Sequence, residues 1–580
     1  FAPHDEPGAP DDALLAAAAG IGGSGPYQFN NMEFLARLPL SEIGGGPANI
    51  LANDCWGWTD KQTGKEYALC GLMHATSFVD ISDPVNPRYL GQLPSQTGIS
   101  TWRDIKVYSD HAFIVSDNND DHGMQVFDLT QLRTVDPDNP VIFSNTAHYS
   151  GCNSSHNIVI NEDTGYAYVV GSNRANGGLH VVDIQNPLQP MEAGNYGDSG
   201  YCHDAQVVSY AGPDEDYLGR EVAFCCNGRL GSDNDALVIV DVSNKSSMTL
   251  ISSNTYPEPG YAHQGWLSED QRYFYLGDET DESNYGGATR LLVWDCLDLD
   301  EPVFLGYANG ATNAIDHNMY IRDGRIYLAN YSAGLRVLQI DAMDAMDLTE
   351  IAFADTYVTD NDTDYDGAWS NYPFFESRVI VVSDRQNGLF LVRLAQVQFE
   401  FPDGRPDLVD PDGVAEFTVQ VNPFEGQPAA GTAVLHVNRG SGFETFAMNP
   451  VADNLYEAVF PPMECGTVVQ YFVSAESTDG IVNCDPPNAP DIAFSAIVAD
   501  SVEFPFVDDF ETDLGWTVSG DAQAGHWERG VPSGDGDRGD PVVDADGSSR
   551  CYLTQNGPGD TDVDGGSTVL TSPMLSALGS

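Results

Sequence analysis

Apolar and polar residues alternate in short runs along most of the chain, and Gly, Asn, Asp and Pro separate the runs. Alternation with a period of two marks a strand with one buried face. One run recurs, ending in Asp and followed by a turn. It reads Ser-Phe-Val-Asp-Ile at 77–81, Gln-Val-Phe-Asp-Leu at 125–129, His-Val-Val-Asp-Ile at 180–184, Val-Ile-Val-Asp-Val at 238–242 and Leu-Val-Trp-Asp-Cys at 292–296. Two degenerate copies follow, Arg-Val-Leu-Gln-Ile at 336–340 and Phe-Leu-Val-Arg-Leu at 390–394. The marker positions 80, 128, 183, 241, 295, 339 and 393 recur about every 50 residues, a period that signals a repeat architecture.

The third unit is the cleanest. It predicts strands over 157–161, 166–171, 178–184 and 191–196, with turns at Glu162-Asp163-Thr164-Gly165 and Asn186-Pro187. Four short strands per unit make one antiparallel sheet, and seven such sheets predict an all-β, seven-bladed β-propeller. No unit holds a ten-residue run of helical spacing free of Gly and Pro. The seventh unit shows only three strands, at 369–374, 378–383 and 388–394. The stretch 33–40, Glu-Phe-Leu-Ala-Arg-Leu-Pro-Leu, resembles the fourth strand of the first unit, Arg-Tyr-Leu-Gly-Gln-Leu at 88–93. The N-terminal strand is therefore expected to complete the last blade and close the ring.

The repeat stops after Ala395. Four domains are expected: a leader or arm at 1–31, the propeller at 32–397, an Ig- or fibronectin-like sandwich at 398–500 and a partial jelly-roll at 501–580. The sandwich rests on alternating runs at 415–421, 433–438, 455–460 and 468–475.

Charge narrows the partners. The chain of 580 residues carries 87 acidic and 24 basic side chains, a formal net charge of −63. That balance argues against nucleic acid and against anionic lipid. Hydrophobic residues make up 42%, enough for large cores, and no apolar run is long enough to span a membrane. Ten cysteines with no Cys-x-x-Cys argue against a disulfide scaffold, although Cys465 and Cys484 flank a hairpin-like segment and could pair. Opening at Phe1, with this acidity, leads to the expectation of a processed protein, extracellular or on the cell surface.

The stretches Asn-Asp-Cys-Trp-Gly-Trp-Thr-Asp at 53–60, Trp-Arg-Asp-Ile-Lys-Val-Tyr at 102–108, Ser-His-Asn at 155–157, His-Gln-Gly-Trp at 263–266 and Asp-His-Asn at 316–318 are distinctive. With Leu-Val-Ile-Val-Asp at 237–241, they make residues 32–395 resemble the LVIVD-repeat propellers called choice-of-anchor B proteins. The last block resembles, more loosely, a choice-of-anchor J type jelly-roll domain. The resemblance implies a secreted bacterial protein, often surface-anchored, and no established reaction.

The first strand of each blade lines a propeller channel. His156, His203, His263 and His317 stand at the starts of four of them, and His74 and His122 precede third strands whose loops open on the same face. Six imidazoles around one mouth suit a transition metal such as Zn, Cu or Fe. The competing reading is a repeat-encoded network in which each His bonds the next blade. Asp360, Asp362, Asp364 and Asp366 offer oxygens at alternate positions, as Ca2+ requires, without the Glu of an EF-hand. Further calcium candidates are Asp544 and Asp546 within the acidic run 535–546, and Asp562 and Asp564 within 560–564; an acidic cluster also lies at 117–121. No nucleophile motif or phosphate loop is present. Two functions follow. The first is a non-enzymatic binding or structural module, whose partners would be surface polymers or further copies of itself in an oligomer or filament. The second is a metal-dependent enzyme at the channel mouth.

Overall fold

The computed structural model describes residues 27–46, 49–228, 236–500, 508–533, 541–544, 547–557 and 563–574. The arm at 1–26, Asp546 and Asp562 lie outside them. The chain forms two compact units, residues 1–463 with 467–497, and residues 464–466 with 498–580.

The first unit is all-β. Among the described residues, seven sheets of four or five strands follow one another, antiparallel except where Val141–Ile142 pairs in parallel with the outer strand of the first. Their inner strands are Ala52–Thr59, Arg103–Tyr108, Asn157–Asn161, Asp204–Ser209, Ala262–Leu267, Met319–Arg322 and Ala368–Tyr372. Each lies against the next, and Ala368–Tyr372 lies against Ala52–Thr59, so the set closes on itself. Polar side chains stitch neighbouring inner strands together. Asp54 accepts the Ile105 N–H at 3.0 Å, Asp104 the Ile158 N–H at 2.6 Å, Gln206 the Leu267 N–H at 2.7 Å and Gln264 the Met319 N–H at 3.0 Å. Buried backbone donors that no ladder reaches are thereby satisfied.

The recurring Asp has a local cause. Asp80, Asp128, Asp183, Asp241 and Asp295 each accept the backbone N–H two residues on, at 3.0–3.1 Å. This turn fixes how the chain leaves the third strand. Arg393, the last degenerate marker, instead bonds Glu33 at 3.0 and 2.6 Å. Its neighbour is the N-terminal strand Met32–Leu38, which pairs with Gly388–Leu394 as the outer strand of the last sheet. Upstream, Gln28–Asn30 adds an edge strand to the sixth sheet within the stretch assigned to an arm.

Outer strands share a β-bulge. The register skips Leu90, Ala193, Ile251, Leu305 and Ile351 in five sheets, and Leu35 in the N-terminal strand. One extra residue on the outer strand bends it and increases its twist. The sequence likeness between 33–40 and 88–93 is the imprint of that bulge.

Residues 397–498 form two further antiparallel sheets around Phe417, Val419, Leu435, Tyr456, Tyr471 and Val473. They are bound to the repeat region rather than spaced from it. Glu425 meets Arg325 at 2.6 Å, Asn483 accepts the N–H groups of Gln396 and Val397, and Asn488 donates to the Tyr27 carbonyl at 2.8 Å. The second unit shows two ladders, Thr517–Gly520 with Thr568–Thr571 and Trp527–Gly530 with Cys551–Thr554. Phe510, Trp516 and Tyr552 pack beside one another in it. Cys465 and Cys484 are not bridged to each other. Burial pushes the Cys484 thiol up to about 11, and it stays protonated.

Candidate metal centre

The starts of the inner strands are irregular, and the irregularity aims side chains at the axis. Pairing skips His263 between Ala262 and Gln264, and Trp369 between Ala368 and Ser370. A bulge at such a place re-aims one side chain. Six rings from six consecutive sheets then form an arc. Trp102 lies 6.4 Å from His156, the steps His156–His203, His203–His263 and His263–His317 are each 4.3 Å, and His317–Trp369 is 4.7 Å. His203, His263 and His317 are 2–3% exposed. The space they enclose, with Asp54, Arg103 and Asn318, is about 10 Å³, ion-sized.

The hydrogen bonds fix the tautomers. His203 Nδ1 bonds the His263 carbonyl at 2.8 Å, and His317 Nδ1 bonds the Trp369 carbonyl. A carbonyl only accepts, so Nδ1 carries the hydrogen and Nε2 keeps its lone pair. His156 Nδ1 bonds the Asp117 carboxylate at 2.8 Å with the same result. Metal-binding imidazoles are held in this way. Burial, with the neighbouring imidazoles, holds His203 and His263 well below the ordinary histidine value, and burial holds His317 at about 3. All three are neutral at pH 7.

Glu279, which follows the second strand of the fifth sheet, faces this arc. Its Oε1 is 3.9 Å from His263 Nε2 and 3.8 Å from His317 Nε2, and it accepts the Tyr331 hydroxyl at 3.1 Å. Burial raises its carboxyl to about 7. His263, Glu279 and His317 hold their ligand atoms within 4.8 Å of one another. Ligands of a tetrahedral zinc stand about 3.4 Å apart, so the carboxylate oxygen, at 3.9 and 3.8 Å, would move closer to each ring nitrogen on binding.

The other expected ligands stand apart. His122 bonds the Gly123 carbonyl through Nδ1 at 3.0 Å, and its Nε2 lies 3.3 Å from Arg103 Nη1. His74 is half-buried against the Gly44 backbone, outside the arc. Asp360 and Asp364 accept the N–H groups of Asp362 and Asp366, and Asp366 is taken by Arg385, Gln386 and Tyr357. None of the four Asp belongs to a group of three ligands within 4.8 Å among the described residues. Asp544 accepts from Ser548 at 2.6 Å, and Asp564 is held through its backbone opposite Ala524. Sequence reasoning missed Glu279. Its signal was the acidic stretch Asp-Glu-Thr-Asp-Glu at 278–282, directly after a strand.

Elsewhere along the inner strands, a cavity of about 400 Å³ is lined by Trp56, Trp266, Tyr320 and Phe374. Lys106 borders it, bound to Asp104 at 2.6 Å and 4.5 Å above the Trp56 ring.

An all-β chain of repeated sheets that close on themselves, with side chains converging from successive inner strands, defines a β-propeller. The LVIVD repeat pattern matches residues 154–198 and 231–255. No curated protein matches the chain. Among solved structures, a protein from Lactobacillus plantarum is similar at 16% identity, with 58% of this chain and 88% of that one covered and a TM-score of 0.36. A functionally unknown protein from Desulfotomaculum acetoxidans is similar at 12% identity, with 52% and 85% covered and a TM-score of 0.36. A protein of unknown function from Bacteroides thetaiotaomicron is similar at 10% identity, with 64% and 99% covered and a TM-score of 0.32.

Proposed function

We propose that the propeller is a metal-holding module whose channel carries one transition-metal ion between His263, His317 and Glu279, with His203 and His156 completing the nitrogen set. The observation that supports this is the convergence of His263, Glu279 and His317, whose ligand atoms lie within 4.8 Å of one another, with His317 holding its Nδ1 on a carbonyl and its Nε2 toward Glu279. Three or four imidazoles with one carboxylate suit Zn, Fe or Cu. The network and metal readings coincide, because the bond that ties a ring to its neighbour also prepares its other nitrogen.

In the finer reading the seven sheets are the blades of a choice-of-anchor B propeller. The domain at 398–500 is Ig-like, the block after 501 belongs to a jelly-roll, and the protein works outside the cell as a binding module. The net charge of −63 supports the last point. The test is metal content of the full chain after equilibration with Zn, Cu or Fe and gel filtration. About one ion per chain is expected in the wild type, and little in the His263→Ala/His317→Ala double variant. Equal content in both overturns the proposal.

A further inference from the structure

A second group of ligands lies between the fifth and sixth sheets. Asp281 and Glu282 begin the short helix Asp281–Tyr285 after the strand Tyr273–Asp278. Asp316 belongs to the segment leading into Met319–Arg322. All three are buried, at 1%, 3% and 0% exposure, and their ligand oxygens lie within 4.8 Å of one another.

Hydrogen bonding sets this group apart. Asp278, equally buried nearby, accepts from the Tyr256 hydroxyl and from the N–H groups of Gly260, Tyr261 and Thr280. Asp316 receives no donor from another residue on either oxygen, and Asp281 Oδ1 and Glu282 Oε2 have none either. Asp281 Oδ2 takes Arg290 at 2.8 Å, and Glu282 Oε1 takes the Arg290 N–H at 3.3 Å. Four carboxylate oxygens without a donor therefore share one dry site, a costly arrangement unless something else meets them. Burial and the neighbouring carboxylates push the Asp281, Glu282 and Asp316 carboxyls above their ordinary range. Gly277 admits this arrangement, since a Cβ there would lie 1.8 Å from Asp316 Oδ2. By contrast, Asp298 and Asp300, in the other acidic group, are exposed and accept ordinary hydrogen bonds.

We propose that Asp281, Glu282 and Asp316 bind one calcium-type divalent cation, independently of the imidazole site. Oxygens bound to one calcium ion stand at most about 4.6–5.2 Å apart, a limit the three groups meet, and an all-oxygen set selects a hard dication. The ion ties the fifth sheet to the sixth.

The test uses the full chain, dialysed against EDTA and then titrated with Ca2+ in thermal melts and with Tb3+ by luminescence. The wild type should melt higher in about 1 mM calcium. Asp316→Asn, Glu282→Gln and Gly277→Ala should weaken the tightest calcium step by at least the roughly 10- to 100-fold that losing an outer partner costs. Asp316→Asn should also melt no lower than the wild type in EDTA, because it removes a repelling charge. The His263→Ala/His317→Ala variant should keep the calcium response. The proposal is overturned if wild-type melting is the same in EDTA and calcium, or if Asp316→Asn and Glu282→Gln respond to calcium as the wild type does.

Discussion

The N-terminal strand carries the closure of the ring, and its contribution can be worked out from two leucines. Leu35 and Leu38 are 7% and 5% exposed. They share one core with Ala52, Cys55 and Ile81 of the first sheet and Val379 and Leu389 of the last. Truncating a buried leucine to alanine costs about 2–5 kcal/mol, so Leu38→Ala alone should lower melting by about 4–10 °C at roughly 2 °C per kcal/mol for a large unit. The double variant approaches the about 5–15 kcal/mol that holds a domain together. Leu305 supplies the control: it occupies the same bulge position in the fifth sheet but is 42% exposed. Leu305→Ala should stay within about 0.5 kcal/mol of the wild type. Urea unfolding followed by tryptophan fluorescence suits the purpose, because Trp56, Trp58 and Trp369 sit on the two inner strands that meet at the seam. Deleting residues 1–42 should abolish the cooperative transition, and supplying that strand as a peptide should restore it. A deletion variant that melts where the intact chain does, or a Leu38→Ala no more costly than Leu305→Ala, refutes the reasoning.

Asp60 is fully buried and takes Arg133 through two bonds of 2.9 and 2.7 Å, joining the first sheet to the short helix after the second sheet's third strand. Arg133 holds its carboxyl below the usual range, so its stabilisation is complete above the unfolded value of about 4 and is lost as pH falls through the folded one. Asp60→Asn should cost about 1.5–3 kcal/mol at pH 7, and urea melts should show that gap closing on acidification; a gap that does not narrow contradicts the pairing. The unbridged Cys465 and Cys484 predict that both thiols are alkylated in denaturant without reductant, as read by peptide mass, while in the native protein the exposed Cys465 reacts first. Finding both protected until reductant is added would reinstate a bridge.

Much of the propeller was legible because each repeat encodes its own local physics. The Asp at 183 announces a strand end because its side chain makes the turn that follows. The strands of the third unit fall within a residue of the expected ranges because Gly, Asn and Pro bound them. The row of four imidazoles was legible because each occupies one position in one repeat. His74 and His122 were over-read, since a loop on the same face does not place a ring at the axis, and Arg103 claims His122. Glu279 and the Asp281–Glu282–Asp316 group were harder to read, because 279–282 lie in the connection after one strand and Asp316 in the segment before a strand of the next sheet. Proximity there depends on how two sheets pack, and residues 281 and 316 have no shared pattern. In the Asp series at 360–366 the alternate spacing also serves the loop's own backbone, since Asp360 and Asp364 each accept the N–H two residues on.

The displaced residue on the perimeter strands has a consequence for how such molecules meet. An unbroken row of free amides and carbonyls would template a strand from another molecule, and a protein with many sheets offers many such rows. Here the row is interrupted at Ala193, Ile251 and Leu305 in the third, fourth and fifth sheets, while Val141–Ile142 and Gln28–Asn30 cover the bulged strands of the first and sixth. Side-by-side fusion into a continuous sheet is thereby discouraged at those three rims.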